Sequence, residues 1–192
     1  MRSRTRGYFE GVYARSDDPW SSRTSDYERE KYDRTLEALA RRRYERALEI
    51  GCSVGVLTRR LAEHAGHLVA IDISERAIEL ARATCRHRSN VTFVRCDATC
   101  NYPPGRFDLV VLSEVAYYWS DDDFARTRER IAESLGPDGD VLLVDFLPEG
   151  QTGAWGGDAV HDAFLHDRRF RGVRGVRAEG YRIDLLRVVV KP

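Results

Sequence analysis

A short apolar run from Ala47 to Ile50, interrupted by the acid Glu49, passes straight into the loop Gly51-Cys52-Ser53-Val54-Gly55, and no other stretch constrains this chain as tightly. An apolar strand that meets glycines and then a helix is the opening unit of a parallel α/β sheet, at the point where backbone comes close to a ligand. A second apolar strand, Leu68 to Ile71, ends in Asp72, 21 residues past Gly51. Acid, glycine loop and second acid together describe a pocket for the adenosine half of a cofactor.

The spacing separates the cofactors. A dinucleotide fingerprint needs glycine at its first, third and sixth places so that a pyrophosphate can reach backbone amides at a helix N-terminus. Those places hold Gly51, Ser53 and Val56, so one of three is met. A phosphate-cradling P-loop ends in Gly-Lys-Ser/Thr, whereas this chain has Gly55-Val56-Leu57-Thr58. What remains is a loop that admits a ligand without anchoring phosphates. The pattern resembles the first motif of class I S-adenosylmethionine-dependent methyltransferases, acid-x-Gly-x-Gly-x-Gly, with Ser53 in place of the middle glycine.

Four later segments extend that resemblance in order: the strand Val91 to Val94 ending in Cys96-Asp97-Ala98, the run Phe107 to Glu114, the turn Leu135-Gly136-Pro137-Asp138-Gly139, and the strand Val141 to Val144. The segments Asp17-Asp18-Pro19-Trp20, Tyr27-Glu28-x-x-Lys31-Tyr32 and Ser113-Glu114-Val115-x-Tyr117-Tyr118 narrow it further. Over residues 8 to 147 the chain is similar to the NodS-type methyltransferases, which N-methylate the free amino group of a deacetylated chitooligosaccharide.

The resemblance implies S-adenosylmethionine as cofactor and assigns roles. Asp72 would hold the ribose diol, a task that suits a two-oxygen acceptor, with Ile73 beside it. Asp97 and Ala98 would read the adenine. Glu49, Gly51, Cys52, Ser53, Gly55 and Ser113 would surround the rest of the cofactor, and Trp20 and Tyr27 would close over it as a lid together with Lys31. Sulfonium is already a good leaving group, so the enzyme's task is alignment and exclusion of water; a base is needed only when the acceptor arrives protonated. Glu114 is the candidate base, Tyr117 and Tyr118 are candidates for orienting a cationic acceptor, and His161 is a candidate second base. Trp119 is expected to pack into the core.

Composition bounds the alternatives. The 192 residues suffice for one domain with a sizeable core. With 31 basic and 31 acidic residues, no overall field attracts nucleic acid or an anionic membrane. The arginines at 168, 169, 171, 174 and 177 read as a solvated face. No apolar run reaches the ~18 to 20 residues of a membrane span, and the basic start lacks an apolar signal region, so a cytoplasmic location is expected. Cys52, Cys85, Cys96 and Cys100 lack paired metal-ligand spacing, and no metal is expected. The expected partner is a small-molecule acceptor, and the expected assembly is a monomer or homodimer.

Along the chain, residues 1 to 25 read as an irregular arm. Ser25-Asp26-Tyr27-Glu28 forms a capping box that starts a helix running toward Ala40. Residues 1–44 are thus expected to form an arm and helix, which the resemblance implies as a lid over the active site, and 45–192 the core with its closing hairpin. Apolar strands then alternate with helices, Ser74 and Ser120 stand as helix caps, Ala159 to His166 reads as a short helix, and the resemblance implies an antiparallel hairpin from the tail at the sheet edge. The expected fold is a single-domain, Rossmann-like α/β structure with a seven-stranded, mostly parallel sheet and helices on both faces. Two rival functions remain: an NAD-dependent oxidoreductase, which Ser53 and Val56 disfavour, and a cofactor-binding partner protein without catalysis.

Overall fold

A computed structural model describes residues 2–40, 42–147 and 156–189. Its elements, in order, are α1 (Arg6–Tyr13), α2 (Asp26–Ala38), β1 (Tyr44–Ile50), α3 (Val56–Leu61), β2 (Ala65–Asp72), α4 (Glu75–Thr84), β3 (Val91–Arg95), β4 (Phe107–Ser113), α5 (Asp121–Ser134), β5 (Leu135–Phe146), α6 (Gly157–Leu165), β6 (Phe170–Ala178) and β7 (Tyr181–Val188).

The seven strands form one sheet in the order β3-β2-β1-β4-β5-β7-β6. The first five are parallel, and β7 runs antiparallel between β5 and β6, so the tail hairpin does close one edge. Residues of alternate parity along a strand face opposite sides. In β4, Val110 and Leu112 pack with Phe124 and Ile131 of α5 and Phe164 of α6, whereas Leu109 and Val111 pack with Leu39 just past α2 and Leu57 and Leu61 of α3. Each such buried side chain contributes roughly 1.5–3 kcal/mol, and having both strand faces apolar is what requires helices on each side.

The caps fall where the sequence puts them. Ser25, Ser74 and Ser120 accept hydrogen bonds from the backbone N–H groups of Glu28, Ala77 and Asp123 respectively. The stretch Leu135 to Gly139 departs from expectation: it belongs to β5, where Phe107 pairs with Leu135 before the register shifts to Leu109 against Asp140.

The arm also departs from expectation. Arg6–Tyr13 is helical, and its stability comes from tertiary contacts rather than from its own polar pattern. Tyr13 is buried with Val54 and Ala77. Glu10 accepts hydrogen bonds from the Ser74 hydroxyl at 3.0 Å and the Glu75 N–H at 2.8 Å, which places a carboxylate on the N-terminus of α4.

The arginines of the tail are largely engaged. Arg177 pairs with Asp158, Arg169 with Asp167, and Arg174 donates to the backbone of α2.

Candidate active site

Between β1 and β4 the chain's strand order reverses, with β2 and β3 lying to one side and β5 to the other. Loops diverge at such a point and leave a crevice at the carboxyl ends of the strands. The register aligns those ends: Ile50 sits beside both Ile71 and Leu112, so Asp72 and Ser113 emerge next to the glycine loop. A cavity of about 550 Å³ occupies the crevice.

Its floor is the glycine loop. Gly51 adopts φ +84°, and a β-carbon there would lie 2.1 Å from Cγ2 of Val115, so only glycine fits. Ser53 is itself left-handed, at φ 49°, a conformation that costs a non-glycine residue roughly 1–2 kcal/mol. This is why glycine is suited to the middle of the motif. Ser53 is held there by its N–H, which donates to Asp72 Oδ2 at 3.0 Å, and by its hydroxyl, which accepts from Tyr13 of α1 at 2.9 Å. Cys52 lines the cavity as well.

Gly55 does not line it. Its φ is +81°, and a β-carbon there would meet Ala81 Cα at 2.9 Å, so this glycine lets α3 start tight against α4. The side on which a β-carbon would stand faces protein.

Two acids flank the floor. Asp72 is nearly buried, with Oδ1 on the Ser74 N–H at 2.9 Å and Oδ2 on the Ser53 N–H. Burial pushes its pKa up to about 6, against the pull of the Ser74, Ser53 and Ile73 backbone N–H groups. Glu49 is 1% exposed, and its Oε2 has no hydrogen-bond partner among the described residues. Burial pushes it up to about 7, with Thr58 opposing and Asp72 reinforcing the shift. A buried unpartnered oxygen on a cavity wall is a costly feature that a ligand's donor would relieve. Ile73, Asp97, Ala98 and Ser113 are on the same wall. Asp97 Oδ1 also accepts from the Thr99 N–H and hydroxyl, which fixes the local turn.

At the mouth stands Glu114, left-handed at φ 59°. Its Oε2 accepts from the Tyr117 hydroxyl at 2.7 Å and its Oε1 from Lys31 Nζ at 2.5 Å. Tyr117 and Tyr118 sit on a single 3-10 turn and both face the cavity. Burial, then the Glu114 charge, drives the Tyr117 phenol far upward, so it remains a proton donor. Trp119 is 7% exposed and packs into the core, although one side of it reaches the cavity.

The N-terminal elements complete the enclosure. Phe9 of α1 meets the Tyr118 ring edge-on at 5.1 Å, and Trp20 packs on Tyr13. Tyr27 donates to the Gly180 carbonyl at 2.9 Å and leans on Phe146 and Tyr181. Trp20 and Tyr27 both line the cavity, as does Lys31.

His161 lies elsewhere. It is fully buried on α6, with Nδ1 2.7 Å from Asp184 Oδ2 and Nε2 3.4 Å from Asp145 Oδ2. Burial opposes its charged form, but the two aspartates outweigh burial and hold its pKa above the usual range. The two carboxylates hold the ring inward, and His161 is not among the residues lining the cavity.

Sequence reading passed over Glu28, Tyr13 and Phe146 as wall residues. Glu28 and Lys31, three apart on a helix, lie on one face, and that spacing is the signal that could have found the pair. Among the described residues no His, Cys, Asp and Glu group suits a metal ion, and no helix is long and apolar enough to cross a membrane. The four cysteines are free thiols.

Comparison with known proteins bears directly on this geometry. The Nodulation protein S of Sinorhizobium fredii is 30% identical over 67% of this chain and 60% of its own length. The chain thus spans less than two thirds of that curated relative. Phosphoethanolamine N-methyltransferase 1 of Arabidopsis thaliana is 30% identical over 57% of this chain but only 23% of its own. Among solved structures, the N-methyltransferase NodS of Bradyrhizobium japonicum WM9 in complex with S-adenosyl-L-homocysteine superposes with a TM-score of 0.85 at 25% identity, covering 95% of this chain and 97% of that one. The family model for Nodulation protein S (NodS) matches residues 13–165, most of the fold and the whole cavity floor, and the chain therefore belongs to the NodS family.

Proposed function

We propose that this chain is a methyltransferase that moves a methyl group from S-adenosylmethionine to the nitrogen of a small cationic amine such as an amino sugar. The observation that carries this reading is the charge of the cavity. Among the described residues, Glu28, Glu49, Asp72, Asp97 and Glu114 line it against a single lysine, Lys31, which is itself paired with two of those carboxylates. Such a wall favours sulfonium and ammonium and repels a pyrophosphate, so the oxidoreductase reading loses support.

The residues fit the cofactor. Glu49 presents its unpartnered Oε2, a natural acceptor for an ammonium at the methionine end. Asp72 keeps lone pairs beyond the two it gives to Ser53 and Ser74, and these would take the ribose hydroxyls. Asp97 and Ala98 would border the adenine. When bound, S-adenosylmethionine supplies an activated methyl group. Glu114 then draws the acceptor's ammonium to the mouth, and the Tyr117 and Tyr118 rings offer it a cation-compatible surface. Only a neutral amine is nucleophilic, so the acceptor nitrogen must shed a proton, which Glu114 accepts. The lid of α1, α2 and Trp20 keeps water from the reacting nitrogen.

Calorimetry with S-adenosylhomocysteine, followed by a radiolabelled methyl-transfer assay over amino sugars and simple amines, tests the proposal. Binding in the micromolar range with transfer to at least one amine is the expected result. Heat with a pyrophosphate-bearing dinucleotide and none with S-adenosylhomocysteine would overturn it, and binding without transfer to any amine would favour a non-catalytic partner.

A further inference from the structure

Lys31 is 2% exposed, in a helix that lies outside the repeating strand-helix core. Burying an ammonium is costly unless it is paired, and here Nζ meets Glu28 Oε1 at 2.8 Å and Glu114 Oε1 at 2.5 Å. Its third neighbour is the Tyr27 ring, whose centroid lies 5.2 Å away. Burial opposes the charge, but Glu114 and Glu28 outweigh it, so the lysine stays protonated. Thr35, one turn on, donates to the Lys31 carbonyl at 2.7 Å and is itself fully buried, which secures the helix at this point.

Resting on the proposed amine methylation, we infer that Lys31 is a positioning residue that fixes Glu114 toward the acceptor and divides its charge between Glu114 and Glu28. Glu114 stands alone after the end of β4 with a left-handed backbone. Without a partner on Oε1, its side chain would keep only the Tyr117 hydroxyl to define its rotamer. With Lys31 in place, both oxygens are aligned, and one lone pair of each remains for the acceptor. The same ion pair fastens α2 over the cavity, so one contact both closes the lid and orients the carboxylate.

Other charges around the pair come from several elements. On α2 they are Glu28, with Tyr27 and Tyr32 as neutral phenols. Tyr117 and Tyr118 face it from the 3-10 turn, Asp145 from β5 and Glu49 from β1. Apart from Lys31 these groups are acidic or neutral, so among the described residues around the pair the lysine is the positive charge that holds Glu114.

The test follows the pH dependence of kcat/KM for an amine accepted by the wild type. Lys31→Met should raise the acceptor KM at least tenfold and move the acid limb upward by about one pH unit. Lys31→Arg should restore the limb, and Glu28→Gln, which leaves Lys31 wholly to Glu114, should move it downward. A limb unmoved in both Lys31→Met and Glu28→Gln overturns the inference, and should Lys31→Met fail to fold, Glu28→Gln decides alone. Absence of S-adenosylhomocysteine heat from the wild type would instead sink the methyltransferase reading itself.

Discussion

The α-carbon of Gly51 faces the Val115 side chain so closely that a β-carbon would sit 2.1 Å from Val115 Cγ2. The glycine loop and the turn after β4 are therefore packed as one unit, and the space that Gly51 lacks is filled by the segment that carries Ser113 and Glu114. Gly51→Ala should displace that turn. It should cost about 1–3 kcal/mol of stability in urea melts and weaken S-adenosylhomocysteine at least tenfold. Gly55→Ala should cost similar stability through the clash with Ala81 while changing affinity less. Equal losses of affinity in both variants would show that the loop acts only as a scaffold.

Much of this was legible from the chain because the informative signals are local. The cap serines, the apolar strands and the acid at the end of each strand all declare themselves within a few residues. Asp72 and Ser113 reach one crevice because strand ends in a parallel sheet are aligned by register. The parts that escaped depend on long-range partners. α1 is helical because Glu10 caps α4 and Tyr13 reaches Ser53, contacts its own pattern does not announce. His161 turns inward because Asp145 and Asp184 come together from adjacent antiparallel strands. That Gly55 packs against Ala81 of α4 was likewise invisible, because its place in the glycine loop says nothing of the helix it meets.

Asp72 is the second point of test. Asp72→Ala should weaken S-adenosylhomocysteine by roughly 1.5–3 kcal/mol, the size expected when hydrogen bonds to a charged acceptor are lost. It should also lower stability, because the Ser53 and Ser74 N–H groups lose their partner. Asp72→Asn keeps one acceptor and should fall between. Wild-type affinity in Asp72→Ala by calorimetry would remove Asp72 from the ribose.

Glu49 gives a prediction in pH. Its pKa rises from 4.5 to about 7 on folding because burial penalises the charge. The folded state then binds the proton more tightly than the unfolded state, so this group's contribution to stability is full below about pH 4.5 and declines as pH rises toward 7. Glu49→Gln removes the ionisation. Without ligand, the variant should match the wild type near pH 5 and exceed it by about 1–3 kcal/mol at pH 8. A bound ammonium beside Glu49 would favour the carboxylate, so saturating S-adenosylmethionine should shrink that gap. A wild-type curve parallel to that of Glu49→Gln from pH 5 to 8 would show that the buried acid does not titrate in this range.

The acceptor's own charge supplies the last test. Relatives of this chain include phosphoethanolamine N-methyltransferases, and phosphoethanolamine carries both an amine and a phosphate. In this chain the described cavity wall offers one cation, Lys31, and Glu28 and Glu114 already hold it. The sequence from Pro148 to Trp155, which precedes α6, contains no Lys, Arg or His. A phosphate brought to this wall would meet carboxylates with no free guanidinium or ammonium to neutralise it, and like charges in a partly enclosed site repel by a kcal/mol or more. Of a matched pair of amines, ethanolamine and its phosphate ester, the uncharged-tail member should therefore show at least tenfold higher kcat/KM, about 1.4 kcal/mol. The preference should grow at low salt, where screening is weaker. A preference for the phosphate ester would mean that a cation outside the described wall reaches the acceptor, and the charge argument for the substrate would fall with it.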